Sequence, residues 1–96
     1  MNKKTSSLPK LRKKIDQIDD QIVRLLNRRI RLAEKIGTLK AVHGHKVYDR
    51  GREKQVIERI CKKNGVLTQK QLQLIYQNVL RASRDHQRKL FNQKAR

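Results

Sequence analysis

Of the 96 residues, one is cysteine, one is proline and three are aromatic, and tryptophan is absent. A lone Cys61 excludes a disulfide scaffold and points to a reducing compartment, so a cytoplasmic location is expected. Apolar residues make up 35% of the chain, and no run of them approaches the roughly 20 that a membrane span requires. No membrane partner is therefore expected. The stretch from Met1 to Lys14 is basic but has no apolar segment behind it, which argues against a signal peptide. His43, His45 and His86 have no ligand-like spacing with cysteine or carboxylates, so no metal site is expected. Neither a Ser–His–Asp or Cys–His constellation nor a glycine-rich phosphate loop is legible. An enzyme built from this chain works without a nucleophile and without a cofactor.

Lysine and arginine are abundant: 26 against 8 aspartates and glutamates, for a formal charge of +18. High charge and few aromatics are the signature of disorder, but periodicity argues otherwise. At alternating steps of three and four lie Leu8, Leu11, Ile15, Ile18, Ile22, Leu25, Arg29, Leu32, Ile36 and Leu39, nine of the ten Leu or Ile. A solvated charge run has no reason to keep that register, whereas a helix with one apolar seam does.

The pattern predicts an all-α fold with three helices per chain, one long, one short and one medium. The first runs from Leu8 to about Val42, with Pro9 in its first turn and Gly37 as its weak point. His43, Gly44, His45 and Lys46 form a loop. The second helix starts near Asp49 and stops at Asn64-Gly65; its apolar face is Val56, Ile57, Ile60 and Cys61, the last a packing residue. The third begins at Thr68, where Thr68 and Gln71 make a capping box, and ends near Phe91. The chain thus divides into a flexible N-terminus (1–7), a helical domain (8–91) and a flexible C-terminal tail (92–96).

A helix of about 35 residues is roughly 50 Å long, whereas a compact domain of this size has a radius of gyration near 13 Å. The long helix must project beyond any core its own chain can build. Its Leu/Ile seam stays wet unless a second chain covers it, so an intertwined helical homodimer is expected.

Polar residues that interrupt the apolar seams are the informative ones. Arg29 sits between Leu25 and Leu32, where a guanidinium either snorkels to water or holds an anion. Lys40 lies eleven residues on, about three turns away on nearly the same face. Asp49, Arg52 and Glu53 line up with Val56 and Ile60, and Ser83 and Gln87 continue the face of Tyr76 and Val79. Each has an ordinary explanation: Asp49 as a helix cap, Arg52 and Glu53 as surface charges, Ser83 bonded to its own preceding carbonyl, Gln87 solvated. Together they describe a cation-rich pocket with a carboxylate acceptor, suited to a small, multiply anionic ligand bearing a hydroxyl.

In order along the chain stand Leu11-Arg12-x-x-Ile15-x-x-Ile18-Asp19, Leu25-Leu26-x-Arg28-Arg29, Ile36-Gly37-x-x-Lys40, Val47-x-Asp49-x-x-Arg52-Glu53 and Ser83-x-x-x-Gln87. In these pieces, over residues 8–90, the chain resembles the all-helical (AroQ-type) chorismate mutases, including the short domain that bacteria fuse to prephenate dehydratase. The resemblance implies an isomerase of aromatic amino acid (Phe/Tyr) biosynthesis that converts chorismate to prephenate, with no cofactor. It also implies roles. Arg12, Arg29 and Arg52 grip the substrate carboxylates with help from the Ser83 hydroxyl. Lys40 and Gln87 donate to the ether oxygen, and Glu53, with the backbone around Asp49, receives the ring hydroxyl. In the family, two sites are shared across a homodimer, and helix length agrees. Arg12 lies roughly 25 Å from Arg29 and 42 Å from Lys40 along one helix, so it serves a site only from the other chain.

The sequence departs from the family at Lys13, Arg31 and Lys35, where acidic residues are common, in a first loop without proline, and at Gly51, which loosens the start of the second helix. Two other readings stand beside the mutase. Isochorismate–pyruvate lyases share the scaffold and use a loop lysine, for which Lys40 or Lys46 could stand; the full set of mutase-type residues favours the mutase. A basic helical dimer that binds nucleic acid fits the charge. Its cations are spread over all three helices and its aromatics are few, which leaves only loose, non-specific binding.

Overall fold

A computed structural model of the chain describes residues 3–63 and 65–95, and within them all regular structure is helical. Helix α1 spans Lys3–Val42, α2 Arg50–Cys61 and α3 Gln69–Ala95. Both long helices overrun the limits read from periodicity, α1 by five residues at its start and α3 by four at its end. Pro9 is therefore the seventh residue of α1 rather than part of its first turn, and it supplies no N–H to the Thr5 carbonyl. Among the described residues no helix is long and apolar enough to cross a membrane.

Each inner helix end is closed by residues the sequence provides for it. After α1, Gly44 takes a φ of +73°, and the His45 and Gly44 amides donate to the Lys40 and Ala41 carbonyls at 2.8 and 3.4 Å. That pairing is the glycine-dependent reversal that ends many helices, and it turns the chain sharply. Asp49 caps α2, with its Oδ1 accepting from the Arg52 amide at 2.9 Å. The capping box at α3 is present in both directions: the Gln71 amide donates to Thr68 Oγ1, and the Thr68 amide to Gln71 Oε1. The end of α2 differs from expectation. It stops at Cys61 and closes with a tight bond from the Lys63 amide to the Ile60 carbonyl at 3.0 Å. Asn64, half of the expected stop pair, lies outside the described residues. Cys61 is half-buried and its Sγ donates to the Gln69 carbonyl across the turn to α3.

Helix α3 lies between the other two and packs on both. It runs parallel to α1, since Arg29, Glu34 and Lys40 meet Ser83, His86 and Gln87 in the same order. The result is one layer of helices, 66 × 26 × 13 Å, with a radius of gyration of 18.2 Å. A compact chain of this size is near 13 Å. Its buried apolar core is accordingly small: Ala33, Val56 and Leu80. The Leu/Ile seam of α1 is left open, with Leu8, Leu11, Ile15, Ile18, Ile22, Leu25, Leu32, Ile36 and Leu39 each 46–59% exposed.

Gly37, read from the sequence as a weak point, is instead buried against the backbone of α3. A Cβ at this position would lie 2.7 Å from the Gln87 carbonyl oxygen and 2.8 Å from its Cα. Backbone cannot yield as a flexible side-chain tip can, so only glycine admits this approach. Gly51 is the contrast: a Cβ there meets only Asp49 Oδ1, at an ordinary 3.6 Å. Gly37→Ala is expected to cost about 1–3 kcal/mol through overpacking, whereas Gly51→Ala gains about 0.5 kcal/mol by restricting the unfolded chain. Thermal or urea unfolding of the two variants beside the parent checks both signs.

Candidate functional site

The close approach at Gly37 sets how far side chains must reach from α1 to α3. Arg29 and Lys40 are about 16 Å apart along α1, yet both reach residues one turn apart in the middle of α3. Arg29 Nη1 donates to Ser83 Oγ, and Lys40 Nζ donates to Gln87 Oε1 at 3.1 Å. Ser83 and Gln87 are the buried polar residues of the chain's described part, 6% and 8% exposed. Gln87 is thus not the solvated late-helix residue that its ordinary explanation allowed.

The bonds at these two residues fix which groups remain for a ligand. Ser83 donates its one hydroxyl hydrogen to the Val79 carbonyl at 2.9 Å, so towards Arg29 it acts as an acceptor. In this arrangement Ser83 holds the guanidinium, and its ordinary role of bonding its own preceding carbonyl is also fulfilled. Gln87 spends its amide oxygen on Lys40, which leaves its NH₂ as what it can donate. Lys40 also donates to the Val47 carbonyl at 2.7 Å, tying the loop after α1 to the site. Two of its three hydrogens are thus engaged.

Among the described residues, neither cation is paired with a carboxylate. The acceptors on Arg29 and Lys40 are a hydroxyl, a carbonyl and an amide, all uncharged. The carboxylates nearby are committed elsewhere: Glu53 to Arg84 at 3.4 Å, Glu34 to His86 at 3.3 Å, and Asp49 to the α2 cap. Two cations held on buried, uncharged acceptors make a site for an anion.

The remaining residues singled out from the sequence are distributed differently. Asp49 stands at the first turn of α2, its side chain on the cap and its carbonyl accepting from the Glu53 amide at 3.0 Å. It lines a hollow of about 420 Å³ together with Lys40, His45, Lys46, Tyr48 and Arg50. Glu53 faces a larger groove between α2 and α3, about 620 Å³, which includes Tyr48, Arg50 and Arg84. Arg52 is exposed on α2, and Arg12 is exposed on the part of α1 that overhangs the layer. Among the described residues, no hydrogen bond joins either of them to Arg29 or Lys40.

Three contributors were not singled out from the sequence. Arg84 pairs with Glu53, Tyr48 lies under the Arg84 guanidinium at 5.1 Å, and His86 bridges to Glu34 one residue before Gln87. The signal for Arg84 was its place beside Ser83: on a helix whose two flanks are both packed, adjacent residues serve opposite neighbours. His86 was weighed only as a metal ligand, so its pairing with a carboxylate on another helix was missed.

Comparison with known proteins places the chain in a family. Residues 11–88 match the family described as chorismate mutase type II. The chain is 36% identical over 88 residues to a bifunctional chorismate mutase/prephenate dehydratase of Aquifex aeolicus, covering 86% of this chain and 24% of that protein. It is 39% identical over 62 residues to a chorismate mutase of Methanocaldococcus jannaschii, covering 62% of this chain and 63% of that one. It therefore spans less than two thirds of either relative. Among solved structures, a conserved hypothetical protein from Pyrococcus furiosus superposes with a TM-score of 0.71 at 34% identity, covering 84% of this chain and 95% of the other. With a family match over most of its length and the all-helical layer observed, the chain belongs to the type II chorismate mutase family.

Proposed function

We propose that the chain catalyses the rearrangement of chorismate to prephenate in aromatic amino acid biosynthesis. The observation that carries this reading is the pair of uncompensated cations, Arg29 and Lys40, held on buried Ser83 and Gln87. The reaction is unimolecular: an ether C–O bond breaks while a C–C bond forms, and no proton moves. It asks for no nucleophile, acid or base. It asks for a substrate folded into its reactive conformer and for donors where charge grows.

Arg29, steadied by Ser83, takes a carboxylate. Lys40 keeps one hydrogen free and Gln87 keeps its NH₂, so the two together present donors to the ether oxygen as it gains negative charge. Since Lys40 is already fixed by Val47 and Gln87, these donors are ordered before the substrate arrives, which is what gives them value in the transition state. Glu53, with the backbone near Asp49, accepts the ring hydroxyl. Arg52 adds a cation from α2.

Arg12 enters from a second copy. The exposed seam of α1 pairs with its equivalent in an antiparallel homodimer, which covers the Leu/Ile side chains and brings the overhanging Arg12 of each chain to the other's site. Each dimer then has two shared sites.

Chorismate incubated with the purified protein gives prephenate as the product, and Arg29→Ala or Lys40→Ala lowers kcat about 10²–10³-fold. Release of pyruvate, or no turnover of chorismate, would sink the reading. Sharing of sites has its own test. Arg12→Ala and Arg29→Ala variants, each inactive, are mixed, unfolded and refolded together. Mixed dimers regain one intact site, so roughly a quarter of the parent activity returns; no recovery means that each site is built within one chain. Because the donor at position 87 is an amide, neutral throughout the range, kcat shows no steep rise below neutral pH.

A further inference from the structure

Neighbouring residues on a helix point about 100° apart, so Ser83 and Arg84 serve different flanks of α3. Ser83 is buried towards α1, and Arg84 turns to α2. There its Nε lies 3.4 Å from Glu53 Oε2, and its guanidinium carbon lies 5.1 Å from the centre of the Tyr48 ring. The ion pair is sheltered, with the two side chains 28% and 21% exposed. Three elements meet in it: the loop before α2, the first turn of α2 and the middle of α3.

A carboxylate in a chain with 26 cations has many possible partners. Arg50, Lys54 and Arg81 line the same groove as Glu53, and all three are exposed. Arg84 differs from them because its planar face rests on an aromatic ring, which holds a guanidinium but offers less to an ammonium. Contact through Nε engages a single carboxylate oxygen. A carboxylate has two, each able to accept, so Oε1 remains available while the side chain as a whole is fixed.

We propose that Arg84 is a positioning residue for the reaction: stacked on Tyr48, it holds Glu53 by Oε2 so that Oε1 is the ordered acceptor for the substrate's ring hydroxyl. The inference rests on the reading of Glu53 as that acceptor. Glu53 left unpaired samples several rotamers, and a misplaced acceptor weakens both binding and alignment. Arg84 touches no reacting atom in this account. Its whole contribution passes through Glu53.

A double-mutant cycle on the full chain tests this, with kcat and KM for chorismate and the thermal midpoint measured for each variant. Arg84→Met is expected to lower kcat/KM about tenfold or more while the protein stays folded at assay temperature. Glu53→Gln lowers it at least as far. In the double variant the loss is no greater than for Glu53→Gln alone, since nothing remains for Arg84 to position. Arg84→Lys keeps the charge without the planar face and does not restore the parent rate. Should Arg84→Met fail to fold, the same cycle with Arg84→Lys decides the question. Losses that multiply, or an Arg84 variant at the parent rate beside an impaired Glu53→Gln, overturn the positioning role alone. Parent-level kcat/KM in Glu53→Gln overturns the reading of Glu53 and the inference with it, leaving Arg29 and Lys40 to their own tests.

Discussion

The contact between Gly37 and the backbone of Gln87 governs the rest of this molecule. Helices whose side chains interleave stand 8–10 Å apart; here one side chain is missing, and the backbone of α3 moves into the space. Three turns of α1 around that point carry Arg29, buried Ala33 and Lys40, and both cations reach α3. With a Cβ in the way, the Lys40–Gln87 bond at 3.1 Å and the Arg29–Ser83 bond would have to stretch together, because both lie astride the same contact. A residue with no side chain thus sets the distances of the four that carry polar chemistry.

Charge is arranged with equal economy. The chain carries +18, but bulk charge only raises the local concentration of anions and screens away with salt. What distinguishes Arg29 and Lys40 is that their partners are neutral while the nearby carboxylates are turned to other side chains or to a cap. Glu34 goes to His86, Glu53 to Arg84, and Asp49 to the amide of Arg52. Bound to neutral acceptors, the two cations are held in place without a carboxylate beside them. Had Glu34 faced Lys40 instead, the site would be ordered but electrostatically spent.

Much of this was legible in the sequence, and the reasons are local. The 3–4 spacing of Leu and Ile fixes α1, Asp49 and the Thr68–Gln71 box fix two helix starts, and polar residues in apolar seams mark Arg29, Lys40, Ser83 and Gln87. Such features act within a few residues of chain. The meaning of Gly37 was not legible, because glycine inside a helical pattern reads as a propensity cost until the opposing backbone is in view. Arg84 escaped for a related reason. Its partners are Glu53, 31 positions earlier, and Tyr48, and no periodicity links residues on three different elements. Helix ends were also misjudged where the polar sequence at 3–7 and 92–95 carries no apolar face, since hydrogen bonding continues a helix without one.

The overhang of α1 bears on the order in which the site is completed. Arg29, Lys40, Ser83 and Gln87 come together within one chain, through contacts that one chain makes with itself. Arg12 does not, and the apolar seam it sits on stays about half exposed. On the proposed reading, the same residues that leave a single chain with an unburied seam deliver the missing cation when a second chain covers it. Assembly and completion of the site are then one event. A single chain holds the donors for the breaking bond but lacks the full grip on the carboxylates, so it is bound to be a poor catalyst before it is a poor fold. Activity would therefore fall on dilution in step with loss of the dimer, even where helix content is kept.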